Sequence, residues 1–412
     1  MYLHGFAVIG IVLGILLVAP VPAAGDPLWV AHAVGTEIPL GIAVSPNGQY
    51  VAVGGDRIAV YSREGEKIWG GFQAKKLVFS PQGAYLIAAT DGGVRYLLPD
   101  GRSIWNDDER VPCTDIAVSR EGDYVAAATG KGAALYDSAG EVLGSNATIQ
   151  PFSVGVSRDG TLVSIGTKDR IALANRSMEP LWEYSLYGSV SEIFFSSSPP
   201  LILASADNGL FALHPGGTLL WQFLARDTIG DFAASADAQD IVVGSRDGSV
   251  YLLDNSGQKI WEKQTGDWVT HVDISQDGLF IAAGGNARRI LLYTRNGTTL
   301  MDIPVNGWVR GIALSPEGGF LGATVDDGST YLFTTAPAVS PTPSIQPSPS
   351  GTAPAPVTTP SPQQTTVQET PTVTTPPVVT TVPKTTPRAG SYAAVLAPII
   401  GAAFIARIWR RF

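Results

Sequence analysis

Eight serines, Ser45, Ser80, Ser119, Ser157, Ser196, Ser235, Ser275 and Ser315, each close a short tetrad of one pattern, and the position four residues before each is where chemistry could reside. In chain order it holds Gly41, Lys76, Asp115, Ser153, Glu192, Asp231, His271 and Gly311. Six of these eight are polar or charged, whereas positions one and three before the serine are apolar throughout. Asp115, Glu192 and Asp231 are carboxylates of the kind that hold a cation or a polar ligand. His271 lies nearby and Lys76 joins them as a candidate ligand-binding residue; the residue types do not name a metal. Two tryptophans, Trp268 and Trp308, share one repeat position in the last two units and are candidate anchors for a partner.

Other chemistry is excluded more readily than assigned. The four histidines, His4, His32, His214 and His271, lie in unrelated contexts without metal-ligand spacing. No nucleophile elbow, phosphate loop or dinucleotide fingerprint occurs. Cys113 is the one cysteine, so there is no internal disulfide and no cysteine-built cofactor site. Acidic turns such as Asp326-Asp327-Gly328 suit hairpin geometry without invoking calcium. The chain is expected to be no enzyme, with no catalytic residue and no cofactor. Excluding the C-terminal basic residues beyond 380 and the lone distal acid Glu369 leaves 22 basic residues against 35 acidic ones, a net charge of −13. Such a surface repels a phosphate backbone, and no nucleic-acid partner is expected.

The elements that position these residues follow from the repeat. The serines are 35, 39, 38, 39, 39, 40 and 40 residues apart, and each unit spells four strands. A turn such as Pro46-Asn47-Gly48 follows the serine, then a second strand such as Tyr124-Val-Ala-Ala127. An Asp-Gly step opens a third, Asp247-Gly-Ser-Val-Tyr-Leu-Leu253, and a further Gly turn opens a fourth that ends on Trp, Gly257-Gln-Lys-Ile-Trp261. Four short strands per unit, with no 3.6-residue period, predict an all-β propeller. The last unit stops after three strands at Thr334, and Gly25–Ala33 supplies the missing fourth. Eight blades closed by an N-terminal strand leave no open sheet edge. Trp29, Trp69, Trp105, Trp182, Trp221 and Trp261 recur once per unit and are expected to dock between blades. The polar position four before each serine should then ring the mouth of the central channel.

The segments Asp247–Asp254 and Gly257–Trp261 resemble the repeat of quinoprotein (PQQ-type) eight-bladed propellers. The tetrad followed by Ser-Pro-Asx-Gly is similar to the WD40-like repeats of prokaryotic surface proteins. The resemblance spans residues 26–334 and implies the fold, with the Trp docked between neighbouring blades. The quinoprotein enzymes use an adjacent cysteine pair and a calcium site, which the single Cys113 does not supply.

Both ends read as membrane signals. Gly5–Ala19 is an apolar run followed by the small residues Ala23-Ala24-Gly25, so residues 1–24 are expected to form a signal peptide and 25–335 the propeller. Pro337–Arg388 contains 14 Pro, 14 Thr and 5 Ser among 52 residues, a composition that builds no core. Residues 336–390 are read as a disordered or polyproline II stalk, either an O-glycosylated spacer or a bare linker. Residues 391–412 are read as one transmembrane helix with a basic cytoplasmic end, Arg407, Arg410 and Arg411. This end resembles archaeal sorting tails. Together these features predict a monomeric propeller held outside a prokaryotic cell by a single-pass anchor, presenting a rigid disc to an envelope protein or glycan. A degenerate quinoprotein-like enzyme and a structural surface-layer component are the alternatives.

Overall fold

The computed structural model describes residues 25–32, 38–107, 111–198 and 200–335. The segments read as signal peptide, stalk and membrane anchor lie outside the described residues. Among the described residues no helix is long and apolar enough to cross a membrane. They form eight four-stranded antiparallel sheets, each a meander whose first strand leads into the repeat serine. Blade 1 contains Ser45 and blade 8 contains Ser315.

The serine earns its recurrence in the turn between the first two strands. In seven blades its Oγ accepts the backbone N–H five residues on, at 2.9–3.2 Å, as Ser45 does from Tyr50. In four of these the hydroxyl also donates to the Asx side chain two residues on, at 2.6–3.1 Å. Blade 5 departs from this. Its Ser-Ser-Ser-Pro-Pro sequence lets the two strands pair up to Ser197 opposite Pro200, and Ser196 lies opposite Leu201 in the ladder. The Ser196 hydroxyl, relieved of its turn, is buried without a hydrogen-bond partner.

The core lies between blades rather than within them. Second and third strands are buried nearly throughout, because both of their faces meet a neighbouring sheet. One apolar layer joins Leu203, Leu210 and Ala212 of blade 5 to Phe232, Ile241 and Val243 of blade 6. The other seams repeat the arrangement. The closing seam is packed in the same way, with Val44, Val51 and Tyr61 of blade 1 against Ala313 and Leu332 of blade 8 and Trp29 beside them. Trp29–His32 pairs antiparallel with Ser329–Thr334, placing Trp29 opposite Leu332. The N-terminal strand therefore completes blade 8, as the truncated last repeat predicts.

The once-per-blade tryptophans dock as the resemblance implies. Each indole N–H donates to a carbonyl in the outer turn of the next blade: Trp29 to Arg63, Trp69 to Pro99, Trp105 to Ser138, Trp182 to Pro215, Trp221 to Asn255 and Trp261 to Arg295, at 2.6–3.0 Å. The turn glycine of the receiving blade lies flat beneath the ring. A Cβ on Gly101 would stand 2.6 Å from Trp69, and one on Gly257 2.6 Å from Trp221. Both glycines also have positive φ, so two constraints select the residue.

Two of the three departures from this rule explain each other. Blade 3 has Gly144 where six blades have Trp, and blade 4 has Met178 where the others have the turn glycine. With no indole to cover it, the blade 4 turn moves inward, and a Cβ on Gly144 would come within 2.5 Å of the Arg176 carbonyl. Met178 accepts a positive φ of 63° and fills the space at 2% exposure. Blade 7 carries Met301 instead of Trp for another reason. No turn joins the third and fourth strands of blade 8, so no carbonyl awaits an indole there, and Met301 packs into the layer containing Phe333.

Candidate functional site

The innermost strands run from an upper face, where the crossings from blade to blade open, to a lower face carrying the serine turns. Six of them begin with a bulge, between Pro39/Gly41, Cys113/Asp115, Val190/Glu192, Ile229/Asp231, Val269/His271 and Val309/Gly311. The bulge sends the intervening residue outward and the following one into the bore. The polar position four before the serine is thereby carried past the mouth, and Asp115 is only 7% exposed. The expected ring at the channel mouth is thus a ring inside the channel.

Within the bore these side chains are already committed. Lys76 Nζ meets Asp115 Oδ1 at 2.5 Å, and Asp115 Oδ2 accepts the Val154 N–H of the next blade at 2.8 Å. Asp231 Oδ2 accepts the Val272 N–H at 2.9 Å, and Glu192 Oε2 the Phe232 N–H at 3.4 Å. Each carboxylate caps an inner-edge N–H of the following blade. Such an N–H has no strand beyond it to pair with, and leaving it bare in the interior is costly. Sequence reasoning missed Asp273, which sits two residues before Ser275 where the other blades have Gly, Ala, Val or Phe. It does the same work one step deeper, accepting the Leu314 N–H at 2.7 Å and that of Ile274 at 2.8 Å. The one charged residue in an otherwise apolar series was the available signal.

Burial and crowding set the protonation of the bore. Burial, then the neighbouring Glu192, push the Asp231 carboxyl well above the carboxylate range, and the two side chains are hydrogen-bonded to each other. Burial lifts Asp273 to about 7 against its two backbone donors. His271 falls to about 4, chiefly through burial and then through the charge of Arg310, so the imidazole is neutral. Burial disfavours the Lys76 ammonium, but Asp115, Glu192 and Asp231 together raise its pKa. The structure thus joins Lys76 to Asp115 by an ion pair and Glu192 to Asp231 by a hydrogen bond, with all three carboxyl groups near enough to act on the ammonium. Among the described residues no three His, Cys, Asp or Glu side chains form a group able to hold a metal ion.

The upper face differs. Trp268 and Trp308 are 45% and 40% exposed, yet their backbones are pinned. The Trp268 carbonyl accepts the Asn286 N–H at 2.9 Å, and Trp308 donates its N–H to Asp326 Oδ1 at 2.8 Å. Arg246 lies over the Trp268 ring at 5.1 Å and Arg310 over Trp308 at 5.0 Å. Around the ring the next blade presents Ile38, at the same offset from its serine as the tryptophans, and the bulge residue Leu40, both about half exposed. Blades 7, 8 and 1 are neighbours, so these side chains form one arc. A cleft of about 600 Å³ opens beside Ile38 at the closing seam, lined also by His32, Arg57, Tyr61 and Lys67. Sequence reading found the two tryptophans but not Ile38 and Leu40, although the shared offset marked Ile38.

Residues 137–267 match the PQQ-type repeat family described as outer membrane protein assembly factor BamB. No curated protein matches the sequence. Solved structures share the architecture. The C-terminal WD40 domain of Sif2 is 15% identical with a TM-score of 0.64, covering 74% of this chain and 98% of that domain. Chaetomium thermophilum Sqt1, solved bound to the N-terminus of ribosomal protein L10, is 15% identical with a TM-score of 0.63, covering 75% of this chain and all of that one. The designed protein Ika8 is 16% identical with a TM-score of 0.63, covering 73% and 97%. The chain has a WD40-like eight-bladed propeller fold, and its repeats over residues 137–267 are similar to those of BamB. At these identities the structural likeness is one of fold.

Proposed function

We propose that the protein is a non-enzymatic binding module whose upper face takes a protein partner on the arc Trp268, Trp308, Ile38 and Leu40. The observation that carries this reading is the pair of exposed indoles, held rigid by their backbones and each faced by a guanidinium, on adjacent blades. Large, pre-ordered aromatic and arginine side chains lose little entropy on docking and supply most of the energy of an interface. The match to an assembly-factor family, and the L10 segment bound by Sqt1, support a platform for another chain over a catalyst. The bore favours the same choice, because its carboxylates spend their lone pairs on backbone N–H groups.

In this reading residues 1–24 direct export, 336–390 form the stalk, and 391–412 anchor the chain with the propeller outside the cell. External protease on intact cells then releases a fragment of about 310 residues, cut within the stalk. Protection of the propeller until lysis would reverse the orientation. The partner is tested by placing a photo-crosslinking residue at Leu40 on the upper face and at Gln82 on the lower. The proposal expects one dominant protein adduct from Leu40, lost in Trp268→Ala/Trp308→Ala. Equal adducts from both faces, or adducts indifferent to the tryptophans, contradict it, and a carbohydrate adduct makes the partner a glycan.

A further inference from the structure

The lower mouth of the bore is built differently from the interior above it. Phe194 occupies the tier two before the serine, where the other blades have Ala, Val, Gly or Asp, and it narrows the bore from one side. Beneath it lies a cavity of about 230 Å³ with apolar walls from Val118, Val156, Phe194, Phe195 and Ala234. Two cationic side chains, Arg120 and Arg158, stand on its rim from adjacent blades. Arg158 is ion-paired with Glu121, whereas Arg120 is exposed and makes no ion pair among the described residues. Ser196 also lines the cavity, 2% exposed, with its hydroxyl unpartnered. A buried hydroxyl with no partner is uncommon, and here it adjoins an apolar hollow with the exposed Arg120 guanidinium, which also feels the charge of Asp237, on its rim.

A second cavity continues outward from the first. It shares Arg158 and Phe195 with it, and passes Tyr124, Leu162 and Pro200. Blade 5 contributes Phe195 and Pro200 to its wall, from the hairpin that pairs Ser197 with Pro200. The same hairpin leaves the Ser196 hydroxyl without the N–H that the other repeat serines accept.

We infer that this lower mouth is a binding site for a small carboxylate with an aromatic or branched apolar body. The body fits the hollow, since about 150 Å³ suffices for a benzene ring and 230 Å³ leaves room for a short side chain. The carboxylate meets Arg120, with Ser196 available as a second donor. The site is independent of the partner surface on the upper face.

The test uses the full chain with 3-phenylpropionate as probe and 3-phenylpropan-1-ol as its neutral counterpart, followed by methyl chemical shifts of Val118, Val156 and Ala234. Saturable shifts are expected with the acid at millimolar concentration. Arg120→Gln should weaken the acid about fivefold, the upper end of what one solvent-exposed ion pair is worth, and leave the alcohol within about twofold. Ala236→Trp, which fills the cavity from its rim, should abolish both while the melting temperature holds. No saturable shift, equal weakening of acid and alcohol by Arg120→Gln, or binding that survives Ala236→Trp would each overturn the site. If Ala236→Trp does not fold, Ser196→Ala replaces it, and an acid affinity unchanged in both Arg120→Gln and Ser196→Ala is the contradicting result.

Discussion

The bore and the upper face take their side chains from neighbouring steps of one repeat, yet these groups reach opposite conditions. In the bore, Asp115, Glu192, Asp231 and Asp273 each meet a backbone N–H of the next blade, and Lys76 is tied to Asp115. On the upper face, Trp268 and Trp308 have pinned backbones and open rings. Both sets look like binding residues when read by type alone. The difference teaches that capacity left over after folding, rather than polarity or aromaticity, marks a surface available to a partner.

The largest effect should come from removing a bore carboxylate. Asp115→Ala leaves the Lys76 ammonium and the Val154 N–H without partners, and should cost about 2–4 kcal/mol in denaturant unfolding. The joint change Lys76→Met/Asp115→Leu should restore more than half of the loss. A cost below about 1 kcal/mol for Asp115→Ala would place the carboxylate in solvent and erase the contrast with the tryptophans.

A slightly smaller loss, about 2–3 kcal/mol, is expected for Trp221→Ala, which empties an inter-blade dock. The swap at the exceptional seam sharpens this. Gly144→Trp and Met178→Gly should each destabilise alone, and together should show a favourable coupling of about 1 kcal/mol or more in a double-mutant cycle. Additive losses would mean that the two departures are unrelated.

The bore also sets a pH dependence. Asp273 has its pKa raised to about 7, so the folded state holds its proton more tightly than the unfolded chain does. That stabilisation is present in acid and is lost as pH rises from about 4 to about 7. His271, lowered to about 4, acts in the opposite sense and costs stability as pH falls below about 6.5. Asp273→Asn should therefore gain on the native protein by about 1–3 kcal/mol between about pH 5 and about pH 8. A constant difference across that range would show that Asp273 does not titrate there. At the small end, Trp268→Ala and Trp308→Ala should each change stability by less than about 1 kcal/mol, since neither ring is in a core layer.

The fold was legible because its determinants are local and repeated. The serine sets a turn, the Gly-to-Trp spacing sets a dock, and the three-strand last unit announces the closing strand. The residues of the bore were legible as a set, but their role was not. An N–H cap reaching from Asp231 to Val272 depends on how one blade rotates against the next, and spacing within a repeat does not contain that rotation. The bulge that carries Asp115 inward and Leu40 outward was hidden for a similar reason, because it is a register shift between strands. Asp273 and the blade 5 sequence Ser-Ser-Ser-Pro-Pro were visible as departures, and each marks a place where the structure differs from its siblings.

The central claim, that the bore carboxylates serve the fold by capping the inner edge, is tested most directly by residue-resolved amide hydrogen exchange. Val154, Val272 and Leu314 should be protected in the native protein, and Ile42, whose preceding blade offers only Gly311 at the capping position, should exchange faster. In Asp231→Ala the protection of Val272 should fall selectively, with that of Val154 and Leu314 retained. Rapid exchange of all four amides in the native protein, or protection of Val272 that persists without Asp231, would contradict the account.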